Sequence, residues 1–206
     1  GKGAATGFST FNTQRDIISR LSDLRETHIE LSNLFRRETD KDDIQACSVD
    51  DDIAFSHRIM RPQLQSAADF DIPAQLTGFE YGSSHHPLIQ ILLSLIRNSD
   101  SAIGEYNKGV ISIGTSFDDA GTLTVTVEDS GRGITDDVLA ESIRERLKHP
   151  AQFLQKRALN GSTGLMYCAY LAQEFGWTLE LECRQEPTRF MLHLPALTRF
   201  RAGGSK

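Results

Sequence analysis

Between about residues 13 and 38, Ile17, Leu21, Leu24, Leu31 and Phe35 recur at steps that alternate between four and three or sum to seven. That spacing is the seam of a coiled coil or helix bundle. His28 falls in the same seam, where it reads as a polar layer fixing register. A helix with one apolar stripe cannot bury it alone, so the stretch needs a partner, either elsewhere in the chain or in a second copy. The acidic segment "ETDKDDIQACSVDDD" follows and reads as a connector. A second helix is predicted over about Val49 to Ala67, bent or ended near Pro62. "ADFDIPAQLTGFEYG" reads as short strands with a turn, and His86 to Ile103 as an apolar helix with Leu88, Ile91, Leu92, Leu95, Ile96 and Ile103 on its buried side. "KGVISIGTSF" and "GTLTVTVED" alternate with period two around an "AG" turn, which predicts a hairpin. Short helices are expected over Val138 to Leu147 and Phe153 to Ala158, and another over Leu165 to Phe175. "WTLELEC" and "RFMLHLP" form a second hairpin. Helices and paired strands mix without strict βαβ alternation, which favours an α+β fold, a two-layer α/β sandwich.

Composition changes this picture little. Hydrophobic residues make up 39% and charged residues 24%, ordinary for a globular protein. The net charge of -6 leaves no basic footprint for nucleic acid. No apolar run is long enough to cross a bilayer. Cys47, Cys168 and Cys183 are odd in number and lack metal-type spacing, which suits free thiols in a reducing cytoplasm. The opening "GKGAATG" reads as a flexible tail or cloning remnant. The predicted organisation is a tail over 1–12, the seam helix and linker over 13–44, a folded domain over 45–197 and a C-terminal tail over 198–206.

Three stretches carry candidate chemistry. The strand "LTVTVED" ends at Asp129 and runs into Ser130-Gly131-Arg132-Gly133-Ile134. Two glycines one residue apart allow a sharp exit and close backbone approach to a ligand. A carboxylate at such a strand end can accept a hydrogen bond from an exocyclic amine, such as that of adenine. Asp-Ser-Gly is also ordinary turn chemistry. Upstream, "LLSLIRNSDSAI" sets Asn98 among apolar neighbours, where a mostly buried amide must find partners. Its oxygen suits Mg²⁺, a hard cation that favours oxygen donors and phosphate, though a helix-surface Asn beside Asp100 is the plainer alternative. In "LNGSTGLMYCAYLAQEFG", Gly161 and Gly164 precede a helix whose free amides can receive phosphate oxygens. A plain helix entry capped by Ser162 or Thr163 fits the same residues.

The order of these stretches, each on a suitable element, resembles the Bergerat ATP-binding fold of DNA gyrase, heat-shock ATPases, mismatch-repair proteins and histidine kinases, the GHKL superfamily. The likeness spans about Val49 to Pro195 and is strongest to the catalytic domain of two-component sensor histidine kinases. The resemblance implies ATP and Mg²⁺ as cofactors. It implies that Asn98 holds the metal and is the catalytic asparagine, and that Asp129, Gly131, Gly133 and Ile134 bind adenine. It further implies that Gly161, Thr163, Gly164 and Leu165 belong to the nucleotide-binding set, the glycines shaping the pocket and Thr163 touching phosphate. The implied reaction transfers the γ-phosphoryl group to a histidine on a dimerisation helix. The seam helix fits the second helix of such a hairpin, so a homodimer and a response regulator are the implied partners. A cytoplasmic location is implied, with any membrane attachment through segments outside these residues.

The sequence departs from the family pattern in three places. Gyrase-type members carry a glutamate one turn before the asparagine as base for water attack. Here that position is Ser94, which argues for phosphoryl transfer over hydrolysis. Sensor kinases write the last box Gly-x-Gly-Leu-Gly, and here Met166 replaces its final glycine, placing a bulky side chain beside the phosphates. The segment between Gly133 and Gly161 lacks Phe-x-x-Phe and instead carries Arg144, Arg146, Lys148, Lys156 and Arg157, which can meet the γ-phosphate or a partner, or simply face solvent. Ser94 and Met166 keep open a degenerate, non-catalytic module that binds a response regulator. An anti-sigma-type serine kinase shares the fold but normally lacks the seam helix.

"SHRIMRP" around His57 looks like a phosphoacceptor box. However, Arg58 stands where the family has an acid, and there is no room for a second hairpin helix before Asn98. His57 is therefore expected on the first helix of the ATP domain. His85 and His86 read as a cap or surface pair, and His149 and His193 as structural.

Overall fold

The structure, a computed structural model, describes residues 45–72, 77–83, 86–105, 107–156, 164–185 and 187–195. The seam helix and His28 lie outside the described residues. The chain runs β1 (Gln45–Ser48), α1 (Val49–Met60), a 3₁₀ turn (Arg61–Gln63), β2 (Ala67–Asp71), β3 (Glu80–Ser83), α2 (Pro87–Ile103), β4 (Lys108–Phe117) and β5 (Leu123–Asp129). It continues through α3 (Asp137–Lys148), α4 (Pro150–Lys156), α5 (Gly164–Glu174), β6 (Thr178–Arg184) and β7 (Thr188–Leu194).

A five-stranded sheet in the order β2-β4-β5-β7-β6 forms one layer, and α1, α2 and α5 pack in the other. All of its pairs are antiparallel except β2 with β4, which is parallel at the edge and needs the crossover that α2 supplies. Period-two alternation decides which face is buried. Ile111, Ile113, Val125, Val127, Leu179, Leu181, Phe190 and Leu192 point at the helices. The opposite face is polar: Arg189 bridges Glu128 and Glu182, and His193 meets Thr124. Leu88, Ile91, Leu92, Leu95 and Ile96 of α2 are almost fully buried. Each such side chain contributes roughly 1.5–3 kcal/mol by leaving water, which makes α2 the central strut of the helical layer.

Three expectations change. β1 lies inside the stretch read as a connector, and it pairs antiparallel with β3 in a separate two-stranded ribbon. β2 and β3, read as neighbouring short strands, therefore belong to different sheets. The helix predicted to Ala67 ends at Met60, because Pro62 tightens the next turn to 3₁₀ and Ala67 already opens β2.

Helix starts follow their capping residues. The Ser48 hydroxyl accepts from the Asp51 amide, and Asp50, Asp51 and Asp52 favour the positive end of α1. Asp52 is buried, accepting from the Tyr81 hydroxyl and facing His86 Nδ1 at 3.3 Å. His86 is the N-cap residue of α2, in the left-handed region at φ 41, and its half-buried ring meets Asp52.

Asp100, near the end of α2, joins the layers. Its two carboxylate oxygens accept from the amides of Gln65 at 3.0 Å and Ser66 at 2.9 Å, fixing the entry to β2. Burial works to raise its pKa, but the bonds from Gln65 and Ser66 outweigh that and hold it below the usual carboxylate value. A lowered folded pKa contributes stability that is present above the unfolded value and is lost as pH falls through the folded one. Asp100→Ala is expected to destabilise by about 2–4 kcal/mol at neutral pH, with the gap to wild type closing at acid pH. Urea denaturation at pH 7 and below pH 4 measures both.

Candidate functional site

Asp129 is the last residue of β5 and is only 4% exposed. Its Oδ1 accepts from the Gly131 amide at 2.9 Å. Burial pushes its carboxyl pKa up, opposed by that amide and by the nearby hydroxyls of Ser99 and Thr188. A charged carboxylate held in this way is an acceptor waiting for a donor.

The turn after Asp129 is tied down on two sides. Ser130 exchanges hydrogen bonds with Val110 of β4, its Oγ accepting at 2.8 Å and its amide donating at 3.1 Å. The Arg132 amide donates to Ala102 O of α2 at 3.1 Å. Between them Gly131 lies so close to α2 that a Cβ would sit 2.6 Å from the Ala102 carbonyl carbon. Gly133 then takes φ 66, a conformation open to glycine at little cost. Each glycine thus has a distinct reason: one for close approach, the other for the turn.

The close approach brings α2 alongside the end of β5. A cleft of about 300 Å³ opens there, lined by Asn98, Asp129, Gly133, Ile134, Gly164 and Leu165 from the sequence-predicted set. Asn98 is exposed toward solvent rather than buried, because the apolar stripe of α2 runs through Leu95, Ile96 and Ser99 and leaves position 98 off it. Gly131 supports the cleft from behind through Ala102, itself a lining residue. Gly161, Thr163 and Arg157 lie outside the described residues, as does the side chain of Lys156.

Ile143, Thr188 and Phe190 also line the cleft and were not anticipated. Thr188 stands directly across from Asp129 in the β5–β7 register. It is 4% exposed, and its hydroxyl lies toward the Asp129 carboxylate, whose pKa it helps to hold down. A buried hydroxyl beside that carboxylate in the wall of a cleft suits a polar ligand edge. The signal was present in "PTRFMLHLP": Phe190, Leu192 and Leu194 alternate inward, and Thr188 continues that face.

Met166 is not beside the cleft. It is 8% exposed and packs into the core with Ala169 and Ala172, one face of α5, while Gly164 and Leu165 meet the cleft. Ser94 sits against α5, its Oγ 3.3 Å from where a Cβ on Gly164 would lie. Burial lifts the Cys168 thiol to about 11, with a hydrogen bond to Ser94 opposing.

The cations of α3 are engaged elsewhere. Arg144 bonds to backbone carbonyls of β6, Arg146 covers the Phe153 ring at 5.6 Å, and Lys148 pairs with Glu145 at 2.7 Å. His57 lies on α1, edge-on to Phe70 with ring centroids 4.7 Å apart. Burial, and then the charge of Arg61, lower its pKa.

Comparison with known proteins meets this geometry from outside. C4-dicarboxylate transport sensor protein DctB of Rhizobium meliloti (strain 1021) is 32% identical over 107 residues, a match covering 52% of this chain and 16% of that protein. A histidine kinase domain from the blue-light-activated kinase EL346 of Erythrobacter litoralis has a TM-score of 0.55 at 18% identity, covering 95% of this chain and 89% of that one. Mycobacterial sensor histidine kinase MprB gives 0.53 at 17% identity, covering 74% of this chain and 97% of that one. Histidine kinase ThkA, solved in complex with response regulator TrrA, gives 0.53 at 18% identity, covering 96% and 53%. At such identities the structural likeness establishes the fold. The family model for histidine kinase-, DNA gyrase B- and HSP90-like ATPases matches residues 84–198, more than half of the chain and every lining residue of the cleft. The chain therefore belongs to that ATPase family, with the fold of a histidine kinase catalytic domain.

Proposed function

We propose that the cleft binds ATP and that the chain is the catalytic part of a sensor histidine kinase. The observation that carries this reading is the convergence of a buried carboxylate, Asp129, a buried hydroxyl, Thr188, and an exposed amide, Asn98, on one apolar-walled cleft. Asp129 accepts from the adenine amine. Ile134, Ile143, Leu165 and Phe190 sandwich or edge the ring, and Gly131 and Gly133 set the turn that lets it enter. Asn98 offers its amide oxygen to Mg²⁺. Gly161, Thr163 and Gly164 belong with the phosphates at the start of α5.

The nucleotide supplies the γ-phosphoryl group, and the chain contributes positioning and charge neutralisation. Ser94 turns toward α5 and carries no base, which suits delivery to a histidine over delivery to water. Residues 45–197 act as the nucleotide-binding unit. Residues 13–44 supply a dimerisation helix and linker, a response regulator receives the phosphoryl group downstream, and the work is done in the cytoplasm. No helix among the described residues is long and apolar enough to cross a membrane.

Calorimetry with a non-hydrolysable ATP analogue, with and without Mg²⁺, tests the binding step. Micromolar binding that tightens with Mg²⁺ is expected, and no heat at millimolar nucleotide ends this reading. Labelled ATP and a dimerisation helix then test transfer: an acid-labile phosphoproduct marks histidine, an acid-stable one marks serine. Binding without transfer would favour the non-catalytic module.

A further inference from the structure

β6 is an edge strand of the five-stranded sheet, so its outer carbonyls have no strand to receive them. Its pairing with β7 is regular to Leu181, opposite Phe190, and resumes at Cys183, opposite Arg189. Glu182 is the extra residue of a bulge. In a regular strand consecutive carbonyls point to opposite sides, and only alternate ones face the open edge. The bulge breaks that alternation. One side chain meets both consecutive carbonyls: Arg144 of α3 donates from Nε to Leu181 O at 3.2 Å and from Nη2 to Glu182 O at 3.5 Å. Its Nη1 reaches Glu141 Oε2 at 3.4 Å, which orients the fork. Planar guanidinium geometry matches two adjacent acceptors in a way that an ammonium cannot.

Both ends of this contact adjoin residues that line the cleft. Ile143, next to Arg144 on α3, lines it, and so does Phe190, the β7 partner of Leu181. At the far end of α3, Gln173 of α5 donates from Nε2 to Lys148 O at 3.1 Å. α3 is thus fastened to β6 by a charged fork and to α5 by a neutral amide.

We propose that Arg144 is a positioning residue of the nucleotide site: its fork on the bulged edge of β6 latches α3 in place and so holds Ile143 as a wall of the cleft. The latch rests on the nucleotide reading given above. Its cation acts on the backbone of its own sheet and touches no phosphate.

The test compares wild type, Arg144→Gln and Arg144→Lys. Without nucleotide, hydrogen exchange of the amides across α3 is expected to accelerate in Arg144→Gln, while those of α2 keep their wild-type protection. With a fluorescent ATP analogue, dissociation of Arg144→Gln is expected to be about tenfold faster, the worth of one charge-assisted hydrogen bond, with association little changed. Arg144→Lys keeps the charge but loses the fork and should fall between the two. Ile143→Ala should weaken binding without accelerating exchange in α3, separating the wall from its latch. Wild-type exchange in α3 together with wild-type dissociation in Arg144→Gln overturns the proposal. If wild-type protein binds no nucleotide, the functional reading fails, and the exchange comparison still decides whether Arg144 holds α3.

Discussion

Asp129→Asn is expected to raise the dissociation constant for an ATP analogue by about 100- to 1,000-fold while leaving the nucleotide-free protein as stable as wild type or more so. The two effects share one cause. Asp129 is buried at the end of β5, and burial raises its pKa. A raised folded pKa means that this group's contribution to stability is fully present below the unfolded value and is lost as pH rises through the folded one. At neutral pH the protein therefore carries the cost of a desolvated charge. Asparagine removes the charge, and its carbonyl can still accept from Gly131, so the turn survives. Its NH₂ then faces the cleft, and two donors meet where an amine would have found an acceptor. Such a mismatch in a buried site costs more than a missing contact. Melting temperatures between pH 4 and 8 should fall less steeply with rising pH in the variant, and calorimetry should show binding lost. A variant that melts lower and still binds would refute both halves of the argument. The expected trade, stability held down for the sake of a site, is common where a polar group is kept buried for a ligand.

How much of this was legible in the sequence depends on the range of the interaction that decides each feature. α2 and the hairpins β4–β5 and β6–β7 are set by local periodicity, so Leu88 to Ile103 and the alternating strands read correctly. β1 does not announce itself. It has four residues in an acidic stretch, and Cys47 is its only buried side chain among those described. Its pairing with β3 is a contact 36 residues away, visible as the Cys47 thiol donating to Ser83 O, and no local pattern encodes it. β2 likewise owes its place to Asp100, 34 and 35 residues along the chain from the amides it holds.

Within the site, Asp129 and the glycines could be read because they form a compact motif at a strand end. Thr188 and Phe190 needed the knowledge that β7 lies beside β5. Met166 shows the opposite failure. Matching the box by sequence put it beside phosphate, whereas helical spacing with Ala169 and Ala172 turns it into the core. That moves one of the two objections to catalysis away from the cleft, and Ser94 remains.

The second large effect is structural. Gly131→Ala is expected to cost about 2–5 kcal/mol in unfolding free energy and to abolish nucleotide binding with it. A methyl group at Gly131 would meet the Ala102 carbonyl carbon at 2.6 Å and its oxygen at 2.8 Å. Those are backbone atoms of the last turn of α2, and they cannot rotate aside as a side chain can. The turn must lift from the helix, breaking the Arg132–Ala102 bond and moving Asp129 relative to Asn98. Gly164→Ala makes a stringent control. Among the described residues its Cβ would meet only the Ser94 hydroxyl at 3.3 Å, a side-chain atom that can turn, so less than about 1 kcal/mol is expected. Urea melts of the two variants give the stabilities, and hydrogen exchange locates the damage. Faster exchange of the Arg132 amide in Gly131→Ala, with α5 unaffected, is the expected pattern. Equal stabilities for the two variants would mean that the turn does not rest on α2. The geometry that brings Asp129 and Asn98 to one cleft would then need another cause, because Gly131 is the point where the strand end and the helix backbone come within a methyl group of each other.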